Sequence, residues 1–200
     1  MNKNCIFVAT VFVLLSSAGC EIERNEVSPA ALAKDVASQL LRTGANEIIL
    51  MQEVSIEAPI ADVWGAYTTA EAWTAWASPK AEIDLRVGGT IRTAYQGEIG
   101  GSNTNTLHIV NYVPEKLLTL RAELSSNWPA IMQEDSERLS NVILFDETKD
   151  GVTRIQSYGI GYTDAPEYDQ LMVFFIKANE GLYKNLRAYL ETGARVEWSQ

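Results

Sequence analysis

One long amphipathic segment at the C-terminal end, preceded by a run of alternating segments, constrains this chain more than any other feature. Tyr168, Leu171, Met172, Phe175, Leu182, Tyr183, Leu186 and Leu190 fall on one face of a helix opened by Asp164-Ala165-Pro166-Glu167 and stopped at Gly193. A helix with a continuous apolar face needs a partner layer. The upstream sequence supplies strands for it.

From Glu47 the period is two: Ile48, Leu50, Val54 and Ile56 face one way, and Glu53, Ser55 and Glu57 the other. Pro59 opens a short helix with Val63, Trp64 and Tyr67, and Thr68-Thr69-Ala70-Glu71 offers a capping box for a second with Trp73 and Trp76. Ala81, Ile83, Leu85 and Val87 alternate with charges, and Gly88-Gly89 turns the chain into Ile91 to Tyr95. Further strands are predicted near Asn105 to Val113, Leu117 to Leu124, Asn141 to Phe145 and Thr153 to Tyr162. This order of elements predicts an α+β domain over residues 47–193: a curved antiparallel sheet, two short helices after its first strand, and the long C-terminal helix packed across it. Residues 194–200 are a tail.

Ahead of the domain, MNKNCIFVATVFVLLSSAGC has one early Lys, an apolar run from Cys5 to Leu15, and small residues up to Cys20. That run is too short to span a bilayer and has the layout of a secretory signal over residues 1–19. Ser17-Ala18-Gly19-Cys20 resembles a bacterial lipobox, which implies lipidation at Cys20 and anchoring on the periplasmic side of a membrane. With Glu21 rather than Asp after the cysteine, the outer membrane is the implied destination. Residues 20–46 would carry the lipid, a polar tether, and a helix begun by Ser28-Pro29 with Ala33, Val36, Ala37, Leu40 and Leu41 on one stripe up to Arg42. Removal of Cys5 with the signal leaves no possible intramolecular disulfide, so the domain must stand on its core.

The formal charge of −10, from 16 Lys and Arg against 26 Asp and Glu, excludes a continuous basic surface for nucleic acid. One histidine and no cysteine inside the domain argue against a His- or Cys-based metal centre. No nucleophile elbow, Walker loop, dinucleotide fingerprint or zinc-protease motif is present, and no cofactor is implied.

The segments Ile56-Glu57-Ala58-Pro59-Ile60-Ala61-Asp62-Val63-Trp64, Thr69 to Trp76, Asp84-Leu85-Arg86-Val87-Gly88-Gly89-Thr90 and Glu180-Gly181-Leu182 are together similar to the SRPBCC (START-like) superfamily. Within it they resemble the branch of the C-terminal domain of the heat-shock protein 90 ATPase activator. The resemblance implies a helix-grip fold with a cavity between sheet and long helix. Gly181, costly in mid-helix, suggests close packing at that point.

For that cavity the sequence offers Trp73, Trp76, Tyr95, Trp128, Phe145, Tyr158, Met172 and Phe175, with His108 as the lone imidazole. The same aromatics could equally fill a solid core. The stretch Ser125 to Leu139 is longer than a hairpin needs, and it reads either as a lid or partner-binding edge or as a short helix packed on the core. The leading expectation is a domain that binds a small hydrophobic molecule without catalysis. The alternatives are an enzyme acting on a hydrophobic or aromatic substrate in the same cavity, and a protein-interaction module of co-chaperone-like type.

Overall fold

The computed structural model describes residues 36–43, 46–148 and 151–198. The expected signal, Cys20 and the tether lie outside these residues. The described residues build one antiparallel sheet of eight strands gripped by a long helix.

The first strand, β1 (Ala37–Arg42), corrects the sequence expectation of a helix ending at Arg42. It pairs antiparallel with β2 (Glu47–Ile56), from Ala37 opposite Glu53 to Arg42 opposite Ile48. The ladder satisfies its backbone, whereas a helix over these residues would have little to bury: Val36 packs against the core, but Leu40 and Leu41 remain 38% and 40% exposed. A short helix without a buried face gains too little to form.

β2 leads through Pro59 into α1 (Ile60–Thr68) and α2 (Ala70–Trp76). No side chain of its own caps α1; the Ile60 N–H donates instead to the Glu147 carboxylate at 3.3 Å, an anion at a helix N-terminus. Nor does the capping box form at α2, because the Thr69 hydroxyl donates back to the Gly65 carbonyl at 2.9 Å. The sheet continues with β3 (Lys80–Ile83), β4 (Thr90–Ala94), β5 (Thr104–Val113) and β6 (Leu117–Ala122). β3 is shorter than its alternation suggests: pairing stops at Ile83, Leu85 is only half-buried, and Val87 is 63% exposed on the turn. Gly88 and Gly89 are both required there, the first at φ +77° and the second because a Cβ would stand 2.0 Å from the Asp84 carbonyl oxygen.

Between β6 and β7 (Ser140–Glu147) lies one helical turn, α3 (Ala130–Glu134), with Met132 buried. β8 (Thr153–Thr163) then pairs with both β7 and β2, giving the order β1-β2-β8-β7-β6-β5-β4-β3. Its Gly161, at φ +91°, lets the chain after α3 pass, since a Cβ would meet the Arg138 carbonyl oxygen at 2.2 Å. The last helix, α4 (Glu167–Thr192), ends with Gly193 in the left-handed conformation, its N–H on the Tyr189 carbonyl at 2.9 Å. The tail is not loose: the Val196 N–H donates to Ala75 O at 2.8 Å and the Trp198 indole to Thr74 O at 2.9 Å, strapping it along α2.

The inner face of the sheet divides into two apolar clusters beneath α4. One joins Val54, Ile56, Val63, Tyr67, Trp73, Trp76, Ile109, Phe145, Ile155 and Leu186 under α1 and α2. The other joins Ile48, Leu50, Met132, Leu139, Tyr168, Met172 and Phe175 under α3. Full burial of side chains such as Ile56 and Val63 contributes about 1.5–3 kcal/mol each.

Candidate functional site

A row of small side chains decides where the interior stays open. On the inner face of the central strands, Ala122, Ser140, Ser157 and Gly159 stand where large residues would otherwise meet α4, and a cavity of about 150 Å³ lies above them. Its floor is completed by Leu50 and Gln52 of β2, Leu107 of β5, Leu120 of β6, Asn141 of β7 and Tyr162 of β8. Phe175 and Asn179 of α4 form one wall. Leu124, Trp128, Met132 and Leu139, from the connection carrying α3, form the other.

That connection is therefore a short packed helix and also part of the cavity wall. It is pinned by the Tyr168 hydroxyl, which donates to Asp135 at 2.8 Å, and by the Gln133 amide, which donates to the Trp128 carbonyl at 2.7 Å. Burial, and then the Asp135 carboxylate, push the Tyr168 phenol well above its ordinary value, so it holds its proton as a donor. The Trp128 ring lies nearly parallel to Phe175, with 6.1 Å between centroids and 27° between planes.

The polar groups lining the cavity are uncharged and form two short chains, one of which leads through Ser38 to the Glu180 carboxylate outside the lining. The Asn179 Nδ2 donates to Gln52 Oε1 at 2.8 Å, while Gln52 Nε2 donates to Ser38 on β1 at 3.0 Å and to the Ile176 carbonyl at 3.4 Å. The Ser157 hydroxyl donates to Asn141 Oδ1 at 2.7 Å. Gln52, Ser157 and Asn179 follow the junction between the two apolar clusters, so the core is crossed by a polar layer. Among the described residues, no carboxylate, imidazole, ammonium or guanidinium lines the cavity. Its one phenol, Tyr162, is pushed up to about 12 by burial and stays protonated at neutral pH.

Of the residues proposed from sequence, Trp128 and Phe175 line this cavity. Met172 is buried in the same cluster without facing the space. Trp73, Trp76 and Phe145 pack the opposite end: the indoles of Trp73 and Trp76 donate to the Tyr67 and Ala66 carbonyls at 2.8 and 3.0 Å, and Phe145 meets Tyr67 edge-on at 5.2 Å. Tyr95 donates to Ala77 O at 2.7 Å and meets Trp198, which seals it outside the cavity. Tyr158 points to the outer face, alternating with buried Ser157 and Gly159. His108 also faces outward, with its side chain 42% exposed and Nε2 at 3.4 Å from Glu123. Sequence reading passed over Gln52, Asn141, Ser157, Tyr162 and Asn179. The available signal was placement: Gln52 sits in the apolar row of β2, and Asn179 lies midway between Phe175 and Tyr183 on the buried face of α4.

Close packing at Gly181 is also corrected, since nothing stands within 4 Å of the place a Cβ would take. Among the described residues no cluster of His, Cys, Asp or Glu could hold a metal ion, and no helix is long and apolar enough to cross a membrane.

Solved structures share this architecture. A protein of Nitrosomonas europaea superposes with a TM-score of 0.56 at 22% identity, over 72% of this chain and 95% of its own. The Aha1 dimer from Colwellia psychrerythraea gives 0.56 at 17% identity, over 72% and 97%. A protein of Mycobacterium smegmatis gives 0.55 at 19%, over 78% and 96%. At these identities the likeness establishes the helix-grip fold alone. A comparison with curated proteins gives no match. The profile described as Activator of Hsp90 ATPase homolog 1-like protein matches residues 57–191, from the end of β2 through nearly all of α4. The chain belongs to that family of activator of Hsp90 ATPase homolog 1-like proteins.

Proposed function

We propose that this domain binds a small apolar molecule in the cavity beneath α4 and does so outside the cytoplasm, held to a membrane by lipid on Cys20. The observation that carries the binding reading is an interior space walled by apolar and uncharged polar side chains on five strands, α4 and the α3 connection. Such a lining suits burial with a few orienting hydrogen bonds. It does not suit acid–base chemistry, because among the described residues Tyr162 is the sole titratable group there and it holds its proton. Burying one aromatic ring, about 150 Å² at about 25 cal/mol per Å², is worth about 4 kcal/mol before association costs.

The lipid anchor is supported by the apolar run and Ser17-Ala18-Gly19-Cys20. Membrane fractionation with and without an inhibitor of lipoprotein signal processing tests it. A cytoplasmic mature protein would overturn it.

The co-chaperone-like reading has the family match behind it, together with Val110 and Val113 exposed on β5. Crosslinking on intact membranes would show whether those positions meet another protein. For the cavity, native mass spectrometry of residues 21–200 purified gently from its own host is expected to show a small co-purifying mass that Ala122→Leu removes. A bound mass retained by that variant would place the ligand elsewhere.

A further inference from the structure

One unsatisfied group narrows what the cavity accepts. The Trp128 indole N–H is buried and has no hydrogen-bond partner among the described residues, yet Trp128 lines the cavity. The tryptophans of the packed end, Trp73 and Trp76, both donate to backbone carbonyls. A buried donor without an acceptor costs more than a typical hydrogen bond returns, so an orphan that borders a cavity is a place where a bound molecule gains by supplying the acceptor. Elsewhere in the lining, Ser157 occupies the Oδ1 of Asn141, so the amide nitrogen of that residue is the end left to donate.

Shape and charge restrict the partner further. The Trp128 and Phe175 rings, 6.1 Å apart and 27° from parallel, bring the two walls into contact, and about 150 Å³ suits a single ring with a small substituent. No lining group could neutralise an anion, and burying an unpaired carboxylate is prohibitively costly.

We propose that the cavity selects small, neutral, single-ring molecules bearing a carbonyl-type acceptor, which takes its hydrogen bond from Trp128 Nε1. This rests on the reading of the cavity as a ligand site and adds its chemistry. The atom that recognises the ligand belongs to the α3 connection rather than to the sheet or α4.

Acetophenone and α-methylstyrene test this, because they share a shape and differ in a carbonyl oxygen against a methylene. Calorimetric titration of the wild type and Trp128→Phe is expected to show acetophenone weakened about five- to tenfold by the substitution and α-methylstyrene changed by less than about twofold. Comparing the two ratios cancels the different hydration of the probes. In the wild type, one of the five tryptophan indole N–H resonances, identified by its contacts to Phe175, should move downfield with acetophenone and not with α-methylstyrene. Benzoate should bind at least about tenfold more weakly than acetophenone. Equal losses for both probes, an unmoved indole resonance, or benzoate binding as tightly as acetophenone would overturn the proposed chemistry and leave the cavity reading standing. Failure of both neutral probes to bind would overturn both. If Trp128→Phe does not fold, the indole resonance of the wild type decides.

Discussion

The two ends of the interior are built from the same kinds of side chain and end in opposite states. Under α1 and α2, Trp64, Tyr67, Trp73, Trp76 and Phe145 interlock, with ring centroids between 5.2 and 5.5 Å apart from Trp64–Phe145 through Trp73–Trp76 and the buried indoles of Trp73 and Trp76 satisfied. Under α3, Trp128, Tyr162, Tyr168 and Phe175 also contact one another, yet they surround open space and leave one indole without an acceptor. The difference comes from the small partners: Ala122, Ser140, Ser157 and Gly159 cannot reach α4 at one end, whereas Ile56, Ile109, Leu118 and Ile155 fill the other. Aromatic content does not make a binding site; what stands opposite the aromatics does.

This contrast can be broken most strongly at the packed end. Trp76→Ala should cost about 4 kcal/mol in denaturant unfolding, because it removes a ring and strands the space it filled, whereas Met132→Ala beside the existing cavity should cost about 2 kcal/mol. Equal costs would mean that the two ends are packed alike. The polar layer between them is tested next. Gln52→Leu orphans the Asn179 amide and should cost about 2 kcal/mol, and adding Asn179→Leu should recover at least half of that, since removing both partners is far less costly than removing one.

Alkaline pH tests the cavity end more gently. Burial raises Tyr162 to about 12, above an unfolded value near 10. The folded state therefore keeps a proton that the unfolded state loses, so this contribution is whole below pH ~10 and is lost as pH climbs through the folded value. Across that window Tyr162→Phe should flatten the fall in stability by about 1.4 kcal/mol per pH unit, measured by chemical denaturation at stepped pH. An unchanged slope would show that the cavity wall does not desolvate this phenol. The smallest expected effect has the opposite sign. Gly181→Ala, on α4 with open space around its Cβ position, should stabilise by up to about 1 kcal/mol in thermal unfolding.

Much of the fold was legible because period and punctuation agree. The alternation of β2 and β4 to β8, Pro59 before α1, and the apolar stripe and terminal Gly193 of α4 each mark one element and one buried face. β1 was not legible, since a six-residue segment with Ala37, Leu40 and Leu41 has a helical spacing and becomes a strand only because the edge of β2 offers a ladder. The cavity was legible only in part, through Trp128 and Phe175. Periodicity reveals which face a residue takes but not what lies across the interior from it. Trp76 and Trp128 look alike in sequence while one is enclosed by Tyr67 and Trp73 and the other borders a void. Gln52 and Asn179 could have been noticed as polar residues in apolar rows, yet their pairing depends on the register between β2 and α4.

The most direct test of a binding end set against a structural end is methyl-resolved NMR during titration with acetophenone. Shifts are expected at Leu50, Leu124 and Met132 around the cavity, with Ile56, Ile109 and Ile155 of the packed end unmoved. Shifts concentrated at those isoleucines, or spread evenly over both clusters, would contradict it.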